Sequence, residues 1–360
     1  MTEYEYFIWL SHIEDMWQGK MKLLFDFFPT VKDIYNASPK LLLSTKVLKE
    51  KDVENIVKSR MTFDLAGTIE YMKKQKIGFT YYGAKDFPTR LVNIPDHPYV
   101  LYYKGELPEN DTAAMGIVGA RNCSEYGKLV APKIAKELSD YGINIISGMA
   151  RGIDSAAHYG CINHNKKTYA VLGCGVDVCY PRENIELYER ILETGGIISE
   201  YIPKTAPLAY RFPMRNRIIS GLSDGVIMIE AKEKSGSFIT IDHALAQGKN
   251  VFALPGRITD PLSVGCNRLI LEGAIPLVNA SQVAQEMGLL NSVENKKNNI
   301  GLEKEFEVLY SCLDLSPISL EDLMRKSKLG IEEVYEKIML LQFKGLVEET
   351  SKGQYVKCTL

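Results

Sequence analysis

Short apolar runs recur at regular intervals through the middle of the chain: AMGIVG (114–119), INIIS (143–147), TYAVLG (168–173), GIIS (196–199), GVIMIE (225–230), NVFAL (250–254) and AIPLV (274–278). Amphipathic stretches separate them, near 125–141, 151–165, 184–194, 212–222, 236–248 and 263–273. Continuous apolar runs of this length fit strands buried on both faces, and single helices between them fit right-handed crossovers. The pattern predicts an α/β domain over 76–285, an extended Rossmann-like, doubly wound parallel sheet of about seven strands.

The flanks read differently. Residues 1–75 are helical in pattern, with a turn at FFPT (27–30) and a helical stretch at DVENIVKSR (52–60), and predict a small helical domain. Residues 76–112 form an extended bridge into the sheet, because FPTRLVNIPDHPYVLYYKG (87–105) holds three prolines and no helical period. The polar segment 286–302 reads as a linker. Residues 303–360 then give three helices and a two-stranded hairpin turning at SKG, a winged-helix pattern.

Composition changes this picture little. With 360 residues, 46% hydrophobic and 24% charged, the chain is an ordinary globular protein of two or three domains. A net charge of −2 provides no global field that would draw it onto nucleic acid or lipid, so any anionic partner needs a local patch. Only 113–280 is net positive, with 18 Lys/Arg against 16 Asp/Glu, whereas 303–360 carries 8 against 11. Seven scattered cysteines without a CxxC pair indicate neither a disulfide framework nor a zinc site. No apolar run approaches a membrane span and the first residues lack a basic leader pattern, so the expectation is a cytoplasmic protein.

The chemistry concentrates in the turns that follow the strands. These read Gly119-Ala-Arg121-Asn-Cys-Ser124, then Ser147-Gly148-Met-Ala-Arg151-Gly152-Ile-Asp154, then Gly173-Cys-Gly175-Val-Asp177 with Tyr180-Pro181-Arg182, and Ser235-Gly236-Ser237. Glycine admits a close ligand, helix N-termini offer free N–H groups, and Ser and Arg complete a phosphate cradle. One such turn is an ordinary cap; four on one sheet edge point to an anionic phosphate ligand. No GxGxxG follows a strand and no Walker A loop is present, so neither a dinucleotide nor an NTPase fingerprint applies.

Between Pro203 and Arg217 lie Lys204, Arg211, Arg215 and Arg217 with no acid, interleaved with Tyr210 and Phe212. Cations alternating with aromatic faces suit a single nucleic-acid strand. The competing reading gives Arg215 and Arg217 carboxylate partners such as Glu200 or Glu230. None of the five histidines sits in a nucleophile context, and His158 and His164 are badly spaced for a metal. Asp154 and Asp177 are turn and cap residues first. No catalytic residue, metal or cofactor is expected.

Taken together and in this order, GIVGARNCSEYG, SGMARGIDSAAH, AVLGCGVDVCYP, ISEY, FPMRNRIISGLSDGVIMIEA and SGSFITIDHALAQGKNVFALPG resemble the DNA processing protein A (DprA, also called Smf) family. The resemblance runs from about 80 to 278. It implies a sterile-alpha-motif-like N-terminal domain, an extended Rossmann fold and a C-terminal winged helix. It further implies a homodimer, without enzymatic activity, that binds single-stranded DNA and hands it to a RecA-type recombinase during natural transformation; a single-strand-binding protein is a further expected partner. Carried over motif by motif, the expected contacts are Gly119, Arg121, Ser124, Ser147, Gly148, Arg151, Gly152, Arg182, Tyr210, Arg211, Arg215, Arg217, Gly236 and Ser237, with Arg121 foremost.

Two qualifications come from the residues themselves. The helix opening Ile331-Glu332-Glu333 is acidic where a duplex-reading helix leads with basic groups, so the tail is expected to be a protein-contact or dimer-supporting module rather than a duplex reader. The alternative function is a nucleotide sensor or a nucleoside-monophosphate phosphoribohydrolase on the same fold. Such enzymes carry a PGGxGTxxE turn, whereas SGSFITIDHA places only Asp242 nearby.

Overall fold

The computed structural model describes residues 1–289, 304–313, 317–343, 346–351 and 353–357. The chain forms two compact units, Met1–Asn291 and Ser292–Leu360. Most of the expected linker, from 290 to 302, lies outside the described residues.

The first unit is built on a nine-stranded sheet. Its strands are β1 Gly78–Tyr81, β2 Val100–Gly105, β3 Ala114–Val118, β4 Asn144–Ser147, β5 Thr168–Val171, β6 Gly196–Ser199, β7 Gly225–Met228, β8 Asn250–Ala253 and β9 Ile275–Pro276. They lie in the order β1-β2-β6-β5-β4-β3-β7-β8-β9. The seven from β3 to β9 are those expected from the apolar runs, and all pair in parallel. The expected count of about seven is corrected upward: β1 and β2, inside the proline-rich bridge, extend the sheet antiparallel from β6. They escaped notice because β2 lies among the prolines of the bridge and β1 is a four-residue edge.

Strand periodicity divides the core into two faces. Met115, Ile117, Ile145, Ile227 and Phe252 point toward the helices Glu125–Asp140, Ile153–Ile162 and Ala280–Glu286. Their neighbours Ala114, Val118, Ile146, Val226 and Val251 point toward Arg211–Leu222, Phe238–Ala246 and Val264–Leu271. Six helices between Glu3 and Lys74 precede the sheet, started by capping boxes at Thr2/Glu5 and Thr30/Asp33. Their core, around Ile8, Trp9 and Leu10, continues into Tyr102, Leu172 and Ile197 of the sheet region. Phe7 stacks on Tyr81 at 4.6 Å and Phe25 on Tyr99 at 4.7 Å, so aromatic contacts join the helices to the β1–β2 edge.

The second unit contains the helices Lys304–Cys312, Leu320–Ser327 and Ile331–Phe343 and the strands β10 Ile318–Ser319, β11 Val347–Ser351 and β12 Gln354–Lys357. The three helices and the hairpin match the sequence pattern; the short β10, pairing with β12, is additional. Phe306, Leu309, Leu323, Val334, Ile338, Leu341 and Tyr355 close its core.

Candidate functional site

Strands β3 and β7 are parallel neighbours, yet the helices that follow them leave to opposite faces of the sheet. Chain reversal of this kind opens a crevice beyond the strand carboxyl ends, where ligands bind in open α/β sheets. A cleft of about 390 Å³ lies there, reaching from Val118 at the end of β3 to Leu262.

The turn after β3 is shaped by Glu230. Its backbone oxygen accepts from Ala120 N at 2.7 Å, and its carboxylate accepts from Ser124 N at 2.9 Å and from the Ser124 hydroxyl. Ser124 also accepts from Gly127 N at 3.1 Å, capping the next helix. Ser124 is therefore spent on the turn itself. From the other side, Ser237 donates its hydroxyl to Gly119 O at 2.8 Å. A side chain at Gly119 would meet Ile153 Cγ1 at 2.7 Å, which explains the glycine. What the turn leaves free is Arg121, an exposed side chain lining the cleft.

The second turn supplies the cleft floor. Asp154 accepts from Gly148 N at 3.2 Å and Ala150 N at 3.4 Å. Arg215, only 4% exposed, donates to Gly148 O at 2.9 Å and to Val171 O. Burial pushes the Asp154 carboxyl up, against the pull of Arg215, the two amides and Arg121. Burial likewise draws Arg215 down, with Asp154 opposing. Gly152 has φ +75°, and a Cβ there would collide with Ala120 O, so this close approach requires glycine. Ser147 is buried and donates to Ile117 O at 2.6 Å.

Of the expected contacts, Gly119, Arg121, Arg215, Gly236 and Ser237 line the cleft. Ser147, Gly148 and Gly152 support it from behind. Arg151 is exposed but held by Glu183 in a two-pronged pair at 2.5 and 2.7 Å. Arg182, Tyr210 and Arg211 lie outside the cleft. There Tyr180 stacks on Phe212 at 5.3 Å, Phe212 itself being a cleft wall, and the Arg211 guanidinium lies 5.1 Å from the Tyr201 ring centroid. Tyr210 is 64% exposed.

Arg217 departs from the expected ligand role. It is 3% exposed and pairs with Glu200 at 2.5 Å, so the competing reading with Glu200 as partner describes its geometry. Burial pushes Glu200 up and Arg217 holds it down. Glu230, the other partner considered, serves Ser124 instead.

Sequence reading missed Lys232 and Lys234, which line the same cleft as Arg121 and are exposed. Unlike Arg151 and Arg217, neither they nor Arg121 form an ion pair among the described residues. The signal was present: AKEKSGS follows the apolar run of β7 directly, at the strand end that faces a ligand. Asn122 and Asn216 add amides to the walls, and Phe212, Pro213, Ile219 and Ile239 add apolar surface. Among the described residues no cluster of three metal-ligating side chains occurs, and no helix is long and apolar enough to cross a membrane.

Comparison with known proteins agrees with the motifs. Residues 78–288 match the family model described as DNA recombination-mediator protein A. DNA processing protein DprA of Bacillus subtilis (strain 168) is 37% identical over 261 residues, 70% of this chain and 88% of its own. The X-ray structure of DNA processing protein A from Streptococcus pneumoniae superposes with a TM-score of 0.67 at 33% identity, covering 79% of this chain and 98% of that one. The structure of DNA processing protein A from Helicobacter pylori, described for its unique single-stranded DNA binding mode, gives a TM-score of 0.53 at 31% identity, covering 58% and 95%. The switch-point cleft and its glycine turns thus lie inside the matched region, and the chain belongs to the DNA recombination-mediator protein A (DprA/Smf) family.

Proposed function

We propose that the chain binds single-stranded DNA at the switch-point cleft and along the adjoining sheet edge, without breaking a bond. The observation that carries this reading is the cleft's charge: Arg121, Lys232 and Lys234 are exposed, unpaired among the described residues, and surround apolar walls. Phosphates meet the cations, and bases lie against Phe212, Pro213 and the ring of Tyr210 beyond. Gly236 and Ser237 offer the start of the helix Phe238–Ala246 to a phosphate. The single-stranded DNA binding of the Helicobacter pylori relative supports the same ligand class.

Arg215 and Arg217 have structural work in this reading: Arg215 fixes the cleft floor and Arg217 neutralises Glu200. Among the described residues the only carboxylate lining the cleft is Asp154, already engaged by two backbone amides and next to Arg215. It is poorly placed to serve as the free acid or base a glycosidic cleavage requires, which favours a binder over a phosphoribohydrolase. The bound strand would be passed to a RecA-type recombinase during transformation in the cytoplasm, with a single-strand-binding protein as a further partner. The chain would act as a homodimer, a role supported by the exposed Leu245, Leu271 and Val278 near the β8–β9 edge.

Anisotropy of labelled oligo-dT, titrated against salt and against mononucleotide, tests the proposal. Salt-sensitive binding that mononucleotide fails to displace supports it. Tight mononucleotide binding with release of free base would replace it with the enzyme.

A further inference from the structure

We infer that the helix Ile331–Phe343 of the second unit docks a basic amphipathic helix of another protein along an exposed apolar stripe bordered by two unpaired glutamates. The packing of that helix is settled on one side only. Val334, Ile338 and Leu341 are buried in the unit's core. Ile331, Tyr335 and Met339 are each more than half exposed, and Phe343 is 93% exposed.

These four residues are spaced four apart, so at 3.6 residues per turn they form one continuous stripe that winds slowly around the helix. The stripe begins beside the core and moves away from it, giving the helix an apolar surface broader than its own unit covers. Exposed apolar side chains arranged this way mark a contact surface, whereas isolated ones would need no explanation. Ile331, Tyr335 and Met339 border a shallow depression together with Glu332 and Glu336.

The same two glutamates identify the occupant. On the helical wheel Glu332 and Glu336 run along the outer border of the stripe, and both are exposed without an ion pair among the described residues. The helix's one cation, Lys337, is neutralised by Glu333 at 2.6 Å on a different side. The neighbouring strand β11 adds Glu348 and Glu349. A duplex phosphate backbone would be repelled, and a second copy of this helix would bring its own carboxylates to the border. A helix with apolar residues at i, i+3, i+4 and i+7 and Lys or Arg on one flank satisfies both the stripe and its border.

The test uses the full chain and a fluorescein-labelled synthetic Leu/Lys amphipathic peptide, with a Leu/Glu counterpart as control. The parent should bind the Lys peptide more weakly as salt rises. Glu332→Lys with Glu336→Lys should weaken the Lys peptide about ten-fold and strengthen the Glu peptide. Tyr335→Ala with Met339→Ala should weaken the Lys peptide by a similar factor. Oligo-dT affinity should be unchanged in all, which separates this inference from the proposed function. All four substitutions lie on exposed side chains, and an unaltered circular dichroism spectrum verifies folding. The inference is overturned if the parent fails to bind the Lys peptide at roughly 100 μM, or if charge reversal moves neither peptide. It is equally overturned if the substitutions instead change duplex-DNA affinity or abolish a concentration-dependent self-association.

Discussion

Replacing Arg121 by alanine isolates the electrostatic argument, because this side chain is exposed and makes no ion pair among the described residues. Its turn is held by Glu230 and Ser237 through backbone and serine atoms, so truncation leaves the loop intact. Among the described residues three exposed cations line the cleft: Arg121, Lys232 and Lys234. If each neutralises one phosphate, the cleft contributes a log–log salt slope of about −2.1 for a single strand. Removing Arg121 should bring that contribution to about −1.4. A four-fold rise in salt would then weaken cleft binding about 7-fold rather than about 18-fold. At fixed salt the loss of one charge-assisted contact, about 1.5–3 kcal/mol, corresponds to roughly 10- to 150-fold in affinity. Arg182 and Arg211 along the edge add to both proteins alike and leave the difference untouched. The assay is anisotropy of labelled oligo-dT across a salt series, with urea unfolding to verify stability. An Arg121→Ala protein with the parent's slope and affinity would remove the cleft from the binding path.

Four further outcomes follow. Lys232→Ala and Lys234→Ala should each reduce the slope by about 0.7, measured in the same titration. Arg217→Met should cost about 3–5 kcal/mol in urea unfolding, since it leaves Glu200 buried and unpaired; Arg217→Met with Glu200→Leu should recover most of it. Gly152→Ala should destabilise the chain by more than about 1 kcal/mol, because φ is +75° and the Cβ meets Ala120 O. Burial lowers His158 from 6.5 to about 3, so the folded protein keeps it neutral while the unfolded chain protonates below 6.5. Its contribution is therefore complete above pH 6.5 and declines as pH falls, by about 2 kcal/mol at pH 5; His158→Gln should flatten that part of the stability profile.

The fold was legible where burial was symmetric. Seven strands covered on both faces leave uninterrupted apolar runs, and the helices between them show the 3.6-residue period, so both their identity and their parallel pairing could be read. β1 and β2 lacked that signature. β2 buries Val100, Leu101 and Tyr102 in succession but lies among prolines, and the edge strand β1 is stabilised by aromatic contacts from Tyr4 and Phe7, in a different part of the chain. Phe7 and Tyr81 are far apart in sequence, and no local period encodes their stacking. The N-terminal helices could be recognised from their helical pattern, but their continuity with the sheet's core depends on such long-range packing.

At the site, residue type identified the turns but could not sort the arginines. Arg121, Arg151, Arg215 and Arg217 carry the same charge in the same segment; the motifs put Arg121 foremost, but sequence left Arg215 and Arg217 open between a phosphate and a carboxylate partner and did not show the partner of Arg151. Their environments differ: Arg121 faces open solvent, Arg151 is clamped by Glu183, Arg215 is spent on two carbonyls, and Arg217 is sealed against Glu200. Desolvation decides the outcome, because a guanidinium already enclosed with a carboxylate cannot take the place of a counterion condensed on the strand. Each partner is supplied by another element: Glu183 lies thirty-two residues from Arg151, and Glu200 seventeen from Arg217. The same argument promotes Lys232 and Lys234. Their only adjacent acid, Glu233, points to neutralisation when the chain is read as a string, yet the fold leaves both ammonium groups unpaired among the described residues and lining the cleft. A strand gripped here is held by the cations that folding left without partners, and the buried arginines keep the cleft in shape.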